Sequence, residues 1–361
     1  MLIKRLIRIV VSILPVIIIV GLLYVAFFVK PQTGEAVLKP YPIVRRDRIY
    51  GVTLPTPTTI WAVGSHGKIL RSDDSGKSWV LQASPTLAHL QDIAAWDEKR
   101  ACVVGNEGII LTTTDGGKRW KKVKTPLDDQ EAKTGSGEKG LDVQVSSSMS
   151  EEMAKETASQ TPKKLIAVKV FPDGSAWAVG EMGAVLCSKD EGRTWERRMK
   201  AEDVGWNDCS FIEQNGLIVG EFGRIMRTDD GGQTWTAVKS PVESSLMGVA
   251  FRDKEHGVAV GLQGVVLVTE DGGKRWTQAP AATSEHLFSV IWDGGQWVAV
   301  GDKGVMFKGD PAGLNWSGGR ITDLDTSWYT KVRKIDDRYY CSGDRLAVLK
   351  EGVIEFFDRK I

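Results

Sequence analysis

The sequence predicts an all-β fold, a seven-bladed β-propeller carried behind an N-terminal transmembrane helix. Three observations predict it. A turn-and-strand motif recurs along the 361 residues with a period of about 40, the mark of a propeller or solenoid. The 39 glycines and 13 tryptophans point to many tight turns beside large apolar side chains. A charge-free run from Ile9 to Val29 is long enough to cross a bilayer.

That run, IVVSILPVIIIVGLLYVAFFV, matches a hydrocarbon core of about 30 Å at about 1.5 Å rise per residue. Pro15 within it is tolerated in a membrane helix. Lys4, Arg5 and Arg8 precede it, so residues 1–8 stay cytoplasmic and everything beyond Lys30 crosses. The rival reading is a cleaved signal peptide. The run exceeds an ordinary signal-peptide core, and no small-residue cleavage site follows it, which favours a retained anchor at 9–29. Residues 30–46 then form a linker and 47–361 the propeller, placed on the periplasmic or extracytoplasmic side of the inner membrane. Extended at about 3.3 Å per residue, the linker reaches about 60 Å.

A glycine-bounded turn recurs as Gly64-Ser-His-Gly67, Gly105-Asn-Glu-Gly108, Gly180-Glu-Met-Gly183, Gly220-Glu-Phe-Gly223, Gly261-Leu-Gln-Gly264 and Gly301-Asp-Lys-Gly304, with a degenerate seventh copy at Ser342-Gly343-Asp344. After each of the first five comes Ser/Thr-x-Asp-x-Gly-x-x-Trp, ending at Trp79, Trp120, Trp195, Trp235 and Trp276. Each unit reads as four short strands bounded by turn residues; in the third copy they are 165–171, 175–180, 184–188 and 194–199. Such a sheet cannot bury its own faces, so the copies stack radially. The ring closes by bringing the chain ends together, with residues 41–45 helping.

The Asp-box turn, as in TDDGGQTW ending at Trp235, needs glycine for positive φ and an Asp carboxylate to accept backbone N–H groups. Asp74, Asp115, Asp190, Asp230 and Asp271 are therefore structural clips. Calcium binding or acid catalysis would need several carboxylates together, and each copy supplies one well-placed Asp. The sixth copy, Asp310 to Trp316, carries an extra residue, and the seventh lacks the motif.

This turn resembles the Asp-box, or bacterial neuraminidase repeat. Combined with Ala-Val-Gly-x-x-Gly, as in WAVGEMGAVLCSKDEGRTW, it resembles the Ycf48-like family of photosystem II assembly and stability factors and their relatives in non-photosynthetic bacteria. The likeness spans residues 48–357, minus one insertion. It implies a seven-bladed propeller that holds a membrane-protein partner and has no chemistry of its own. The retained anchor departs from the soluble lumenal members.

A formal charge near +1 argues against nucleic acid as a partner. No catalytic set, cofactor motif or metal cluster emerges. A sialidase would need an arginine cluster and a Tyr–Glu pair, yet no Arg-Ile-Pro strand occurs, and Arg119, Arg193 and Arg275 sit beside Asp-box turns. Another glycosidase would need two carboxyls about 5 to 10 Å apart. The third position of each inner strand reads Gly51, Asp92, Ala167, Asp208, Gly248, Ser289 and Lys331. Asp92 and Asp208, with Lys331 and Arg333 to offset them, are expected as solvated channel lining. His89 and His286 occupy equivalent places before the inner strands of blades two and six, and His66 is a turn tip. Cys102, Cys187, Cys209 and Cys341 lie in apolar runs with no CxxC pair, which reads as buried free thiols.

An acidic, serine-rich insertion occupies about 127–162, between the fourth strand of one blade and the first of the next. That connection lies on the same rim as the Gly-x-x-Gly turns, opposite the Asp-boxes. Its composition cannot support a packed core, and loop closure costs only about 0.6 kcal/mol per doubling of length. The rim carries His66, Glu107, Glu181, Met182, Glu221, Phe222 and Leu262, the expected partner-binding residues. Exposed Phe222, Met182 and Leu262 at turn tips suit contact with protein. The expected function is a non-catalytic anchored scaffold for an integral membrane protein or envelope complex such as a transporter. The alternative is a glycan-binding or sialidase-like glycoside-hydrolase propeller.

Overall fold

The computed structural model describes residues 14, 15, 19, 20, 24, 41–128 and 164–358. It divides into two units, Met1–Tyr41 and Pro42–Ile361. In the first, residues 14, 15, 19, 20 and 24 are helical. Among the described residues no helix is long and apolar enough to cross a membrane. The expected cytoplasmic segment at 1–8 lies outside the described residues, as do most of the anchor at 9–29 and nearly all of the insertion at 127–162.

The second unit is all-β. Its 28 described strands run as seven consecutive groups of four, each an antiparallel sheet. The inner strands are Ile49–Thr53, Leu90–Ala95, Leu165–Val170, Trp206–Ile212, Leu246–Phe251, Leu287–Trp292 and Tyr329–Ile335. Each packs beside the inner strands of the groups before and after it, and the seventh packs beside the first. The groups are therefore blades in a closed ring. In the third blade the strands are Leu165–Val170, Ala176–Gly180, Val185–Ser188 and Glu196–Arg197, within a few residues of the sequence expectation.

The second strands explain why the ring is needed. Ile60–Gly64, Ala101–Gly105, Ala176–Gly180, Gly257–Gly261 and Trp297–Gly301 are buried at every position. A strand covered on both faces reads as a continuous apolar run instead of an alternating one. The covering comes from neighbours: seven apolar clusters are found among the described residues, and each joins two adjacent blades. Among the described residues no blade has a private core.

The same seams use the second glycine of the Asp-box turn. A Cβ on Gly232 would lie 2.2 Å from the Trp177 ring of the preceding blade, and one on Gly273 2.5 Å from Leu217. Arginines stitch the seams from outside. Arg71 lies 4.7 Å over Trp61 and donates to the Glu98 and Gly116 carbonyls of the next blade. Arg227 donates to Gly272 O and Arg252 to Pro311 O across their own seams.

Closure joins the two chain ends. Ile49 pairs with Gly343, which merges the first and last blades into one eight-stranded sheet. Arg48 is ion-paired with Asp344, and the Tyr50 carbonyl accepts from Thr330 and Ser342. Ile43 is buried in the cluster between these blades, and Lys68 donates to Pro42 O. Residues 42–46, expected as linker, thus belong to the propeller. Leu127, expected in the insertion, is likewise buried, against Leu165 and Ala184. The four cysteines are buried free thiols, and burial pushes Cys209 and Cys341 up to about 12.

Candidate functional site

The Asp-box aspartates point into their own turns. Asp230 accepts the Thr228 hydroxyl at 2.7 Å, the Thr234 amide at 2.9 Å and the Thr234 hydroxyl at 2.6 Å. Asp74 does the same with Ser72 and Ser78, and Asp190 with Ser188 and Thr194. In two blades an arginine replaces the last hydroxyl: Arg119 Nε reaches Asp115 at 2.9 Å and Arg275 Nε reaches Asp271 at 2.8 Å. The irregular sixth copy keeps the device, because Asn315 bridges the extra residue to Asp310 at 2.6 Å. Both oxygens of each carboxylate accept donors within their own turn, so each aspartate serves its own blade and not a shared ligand.

These hydrogen bonds favour the charged form. Those from Ser78 and from Arg119, respectively, bring Asp74 and Asp115 down to about 2. Unfolded carboxyls titrate near about 4. The folded state therefore gains stability above that pH and loses it as pH falls through the folded values. The urea midpoint is expected to drop between about pH 4 and pH 2, and Asp74→Asn to reduce that drop. An unchanged pH dependence in that variant contradicts the clip role.

Asp92, Asp208 and Lys331 are not solvated. Their relative exposures are 0%, 4% and 6%. At the third inner-strand position the side chains cross to the next blade. Asp92 accepts the Val168 N–H at 3.2 Å, Asp208 the Val249 N–H at 3.2 Å, and Ser289 the Val332 N–H at 3.3 Å. Lys331 of blade seven reaches Asp92 of blade two at 3.5 Å. Blade one lies between and carries Gly51, whose absent Cβ would stand 2.7 Å from Asp92 Cα. Lys169, which sequence reasoning missed, pairs with Asp208 at 3.0 Å. Burial opposes the Asp208 charge, but Lys169, Lys331 and Arg333 together hold its carboxyl below the ordinary range. The buried groups tie neighbouring inner strands together, while Lys169 and Arg333 line an open axial cavity.

The Gly-x-x-Gly turns present their second residue outward in a left-handed conformation. His66, Glu107, Met182, Phe222, Gln263 and Lys303 have φ between 51° and 60°. Glycine or asparagine adopts this backbone cheaply, and a bulky side chain does not. Phe222 nevertheless sits there with 71% exposure, and Met182 with 38%. Leu262 occupies the first turn position and is half-buried, so Gln263 is the exposed tip of that blade. Glu181 and Glu221 are also first-position residues; burial, and to a lesser extent Glu221, raises the Glu181 carboxyl. His66 packs against His89 with ring centroids 5.2 Å apart, and His286 accepts the Gln263 N–H at 2.9 Å. The two histidines that precede inner strands thus brace turn tips.

On the opposite face a cleft of about 600 Å³ opens between blades three and four, lined by Phe171, Trp177, Phe211, Asp173, Glu213 and Asp230 among others. Its carboxylates are engaged. Asp173 is held below the ordinary range by the Ser175 hydroxyl and amide, Asp230 by its Asp-box, and Glu213 pairs with Lys254 at 2.6 Å. A glycosidase acid needs a raised pKa.

Among curated proteins none matches the sequence. The fold is shared with a structure described as YCF48 bound to D1 peptide, at 15% identity and a TM-score of 0.62, covering 87% of this chain and 93% of that one. YCF48 from Cyanidioschyzon merolae gives 14% identity and a TM-score of 0.61, covering 84% and 96%. An ancestral GH74 enzyme has a TM-score of 0.61 at 11% identity, covering 84% of this chain and 44% of that one. The family described as photosynthesis system II assembly factor YCF48 matches residues 135–229 and 231–326, more than half of the chain. The chain is a Ycf48-like Asp-box β-propeller and belongs to that family.

Proposed function

We propose that this chain is a non-catalytic scaffold, anchored in the inner membrane by residues 9–29, that binds a membrane protein through its Gly-x-x-Gly face on the periplasmic or extracytoplasmic side. It acts as an assembly factor, or as an accessory subunit of an envelope complex such as a transporter. The observation that carries this reading is Phe222, 71% exposed at a left-handed turn tip. A side chain kept at a conformational cost in water gains nothing for the fold, whereas an aromatic anchor at an interface dominates affinity. Family membership supports the reading, as does the solved YCF48 bound to a D1 peptide, a protein ligand. Tethering raises the effective concentration at a neighbouring membrane protein, so a modest interface suffices.

The glycosidase alternative finds a cleft with aromatic walls, but its Asp173 and Asp230 carboxyls are held in the charged form, the opposite of what an acid catalyst needs. The test is a mild-detergent pull-down of the full chain followed by mass spectrometry. Phe222→Asn is expected to keep the fold, because asparagine tolerates the left-handed backbone, and to lose a membrane protein that the parent retains. Lys274→Ala, on the Asp-box face, is expected to retain it. Equal retention by all three chains contradicts the proposed face. Hydrolysis of a glycan by the purified protein contradicts the non-catalytic assignment.

A further inference from the structure

On the Asp-box side of the axis lies a cup of about 410 Å³, to which all seven inner strands contribute. Among the described residues its charged lining is Lys169 and Arg333, and Thr53 and Ser210 bring hydroxyls. The remaining wall is apolar or backbone, with Val290, Ile291 and Trp292 on one side and Phe171 and Phe211 on the other.

The charges around the axis do not balance. Lys331 pairs with Asp92 at 3.5 Å and Lys169 with Asp208 at 3.0 Å. Arg333 is left over. Its Nη1 donates to the Val332 carbonyl at 2.9 Å, and no carboxylate among the described residues lies within ion-pair distance of it. Half-buried in a partly apolar cup, Arg333 has lost part of its hydration, and the Asp208 charge it feels at longer range is already paired with Lys169. Its planar fork matches the two oxygens of a carboxylate. Ser210 Oγ accepts the Phe251 N–H at 3.3 Å, which leaves its own O–H to donate.

We propose that this axial cup binds a small organic carboxylate, its head group on Arg333 and Ser210 and its apolar body against the Val290–Trp292 wall. The apolar lining selects against a bare inorganic anion, and the unpaired cation selects against a neutral alcohol. A volume near the low end of the usual ligand-pocket range of about 300–1,000 Å³ limits the ligand to a small one. Phe171 and Phe211 also line the adjoining cleft between blades three and four, which gives a longer body room to extend. The site lies on the face opposite the proposed partner surface and uses none of its residues.

Titration calorimetry on the full chain in detergent tests this with hexanoate, hexanol and inorganic phosphate as probes. Hexanoate is expected to bind at least about tenfold more tightly than either of the others, the scale of one charge-assisted hydrogen bond in a partly desolvated site. Arg333→Gln should weaken hexanoate by about tenfold or more and leave hexanol unchanged, and Arg333→Lys, which keeps charge without the fork, should fall between. Raising the salt concentration should weaken hexanoate only. Phosphate binding as tightly as hexanoate, or hexanoate binding that Arg333→Gln does not alter, overturns the proposal. A pull-down that fails on the Gly-x-x-Gly face leaves this result unaffected, and the reverse also holds.

Discussion

Gly232→Ala is expected to destabilise the propeller by about 2–5 kcal/mol, the sum of a left-handed alanine and an overpacked seam. The residue has φ +81°, and its Cβ would meet Trp177 Cη2 at 2.2 Å and Cζ2 at 2.4 Å. The indole is held in place by neighbouring rings. Trp177 is 4% exposed, stacks on Phe211 at 4.9 Å and meets Trp235 edge-on at 5.7 Å. Gly294→Ala separates the two contributions: φ there is +100°, but nothing lies within 4 Å of the added carbon. It should cost only the backbone part, about 1–2 kcal/mol. Chemical denaturation of both variants measures the difference. Equal losses would mean that the Asp-box glycine serves its own turn and not the seam.

Asp92→Ala should cost about 3–5 kcal/mol, the usual penalty for leaving one member of a buried pair uncompensated. The substitution strands the Lys331 ammonium, whose side chain is 8% exposed, and removes the acceptor of the Val168 N–H. Asp92→Leu combined with Lys331→Met is expected to recover much of the loss, because neither charge then remains buried. A double variant as unstable as the single one would assign the effect to the Val168 hydrogen bond. The single and double variants, compared by denaturant midpoint at constant salt, decide between ion pair and hydrogen bond.

The ring itself was legible because its determinants are local. Each Gly-x-x-Gly and each Asp-box is a turn written within ten residues, and their recurrence sets the number of blades. What crosses blades was not legible. Lys331 meets Asp92 only because the axis is narrow and Gly51 leaves room, a juxtaposition that no spacing in the chain encodes. Solvated lining was the expectation from inner-strand phase alone; the short axial radius instead drives those side chains into the neighbouring strand. Similarly, Gly-x-x-Gly announces a turn without saying which middle residue takes the left-handed conformation. Backbone geometry assigns it to the second, which exposes Gln263 and half-buries Leu262. Phe222 was identified because an aromatic residue at a turn tip is anomalous in either position.

The most direct measurement is site-specific photo-crosslinking in intact membranes, with a photoreactive residue placed in turn at Phe222, Gln263, Lys118 and Lys274. The first two stand on the Gly-x-x-Gly rim and the last two on Asp-box turns. Adducts to one membrane protein from 222 or 263, and none from 118 or 274, are the predicted result. Adducts confined to 118 and 274 would place recognition on the turns assigned here to holding the blades together.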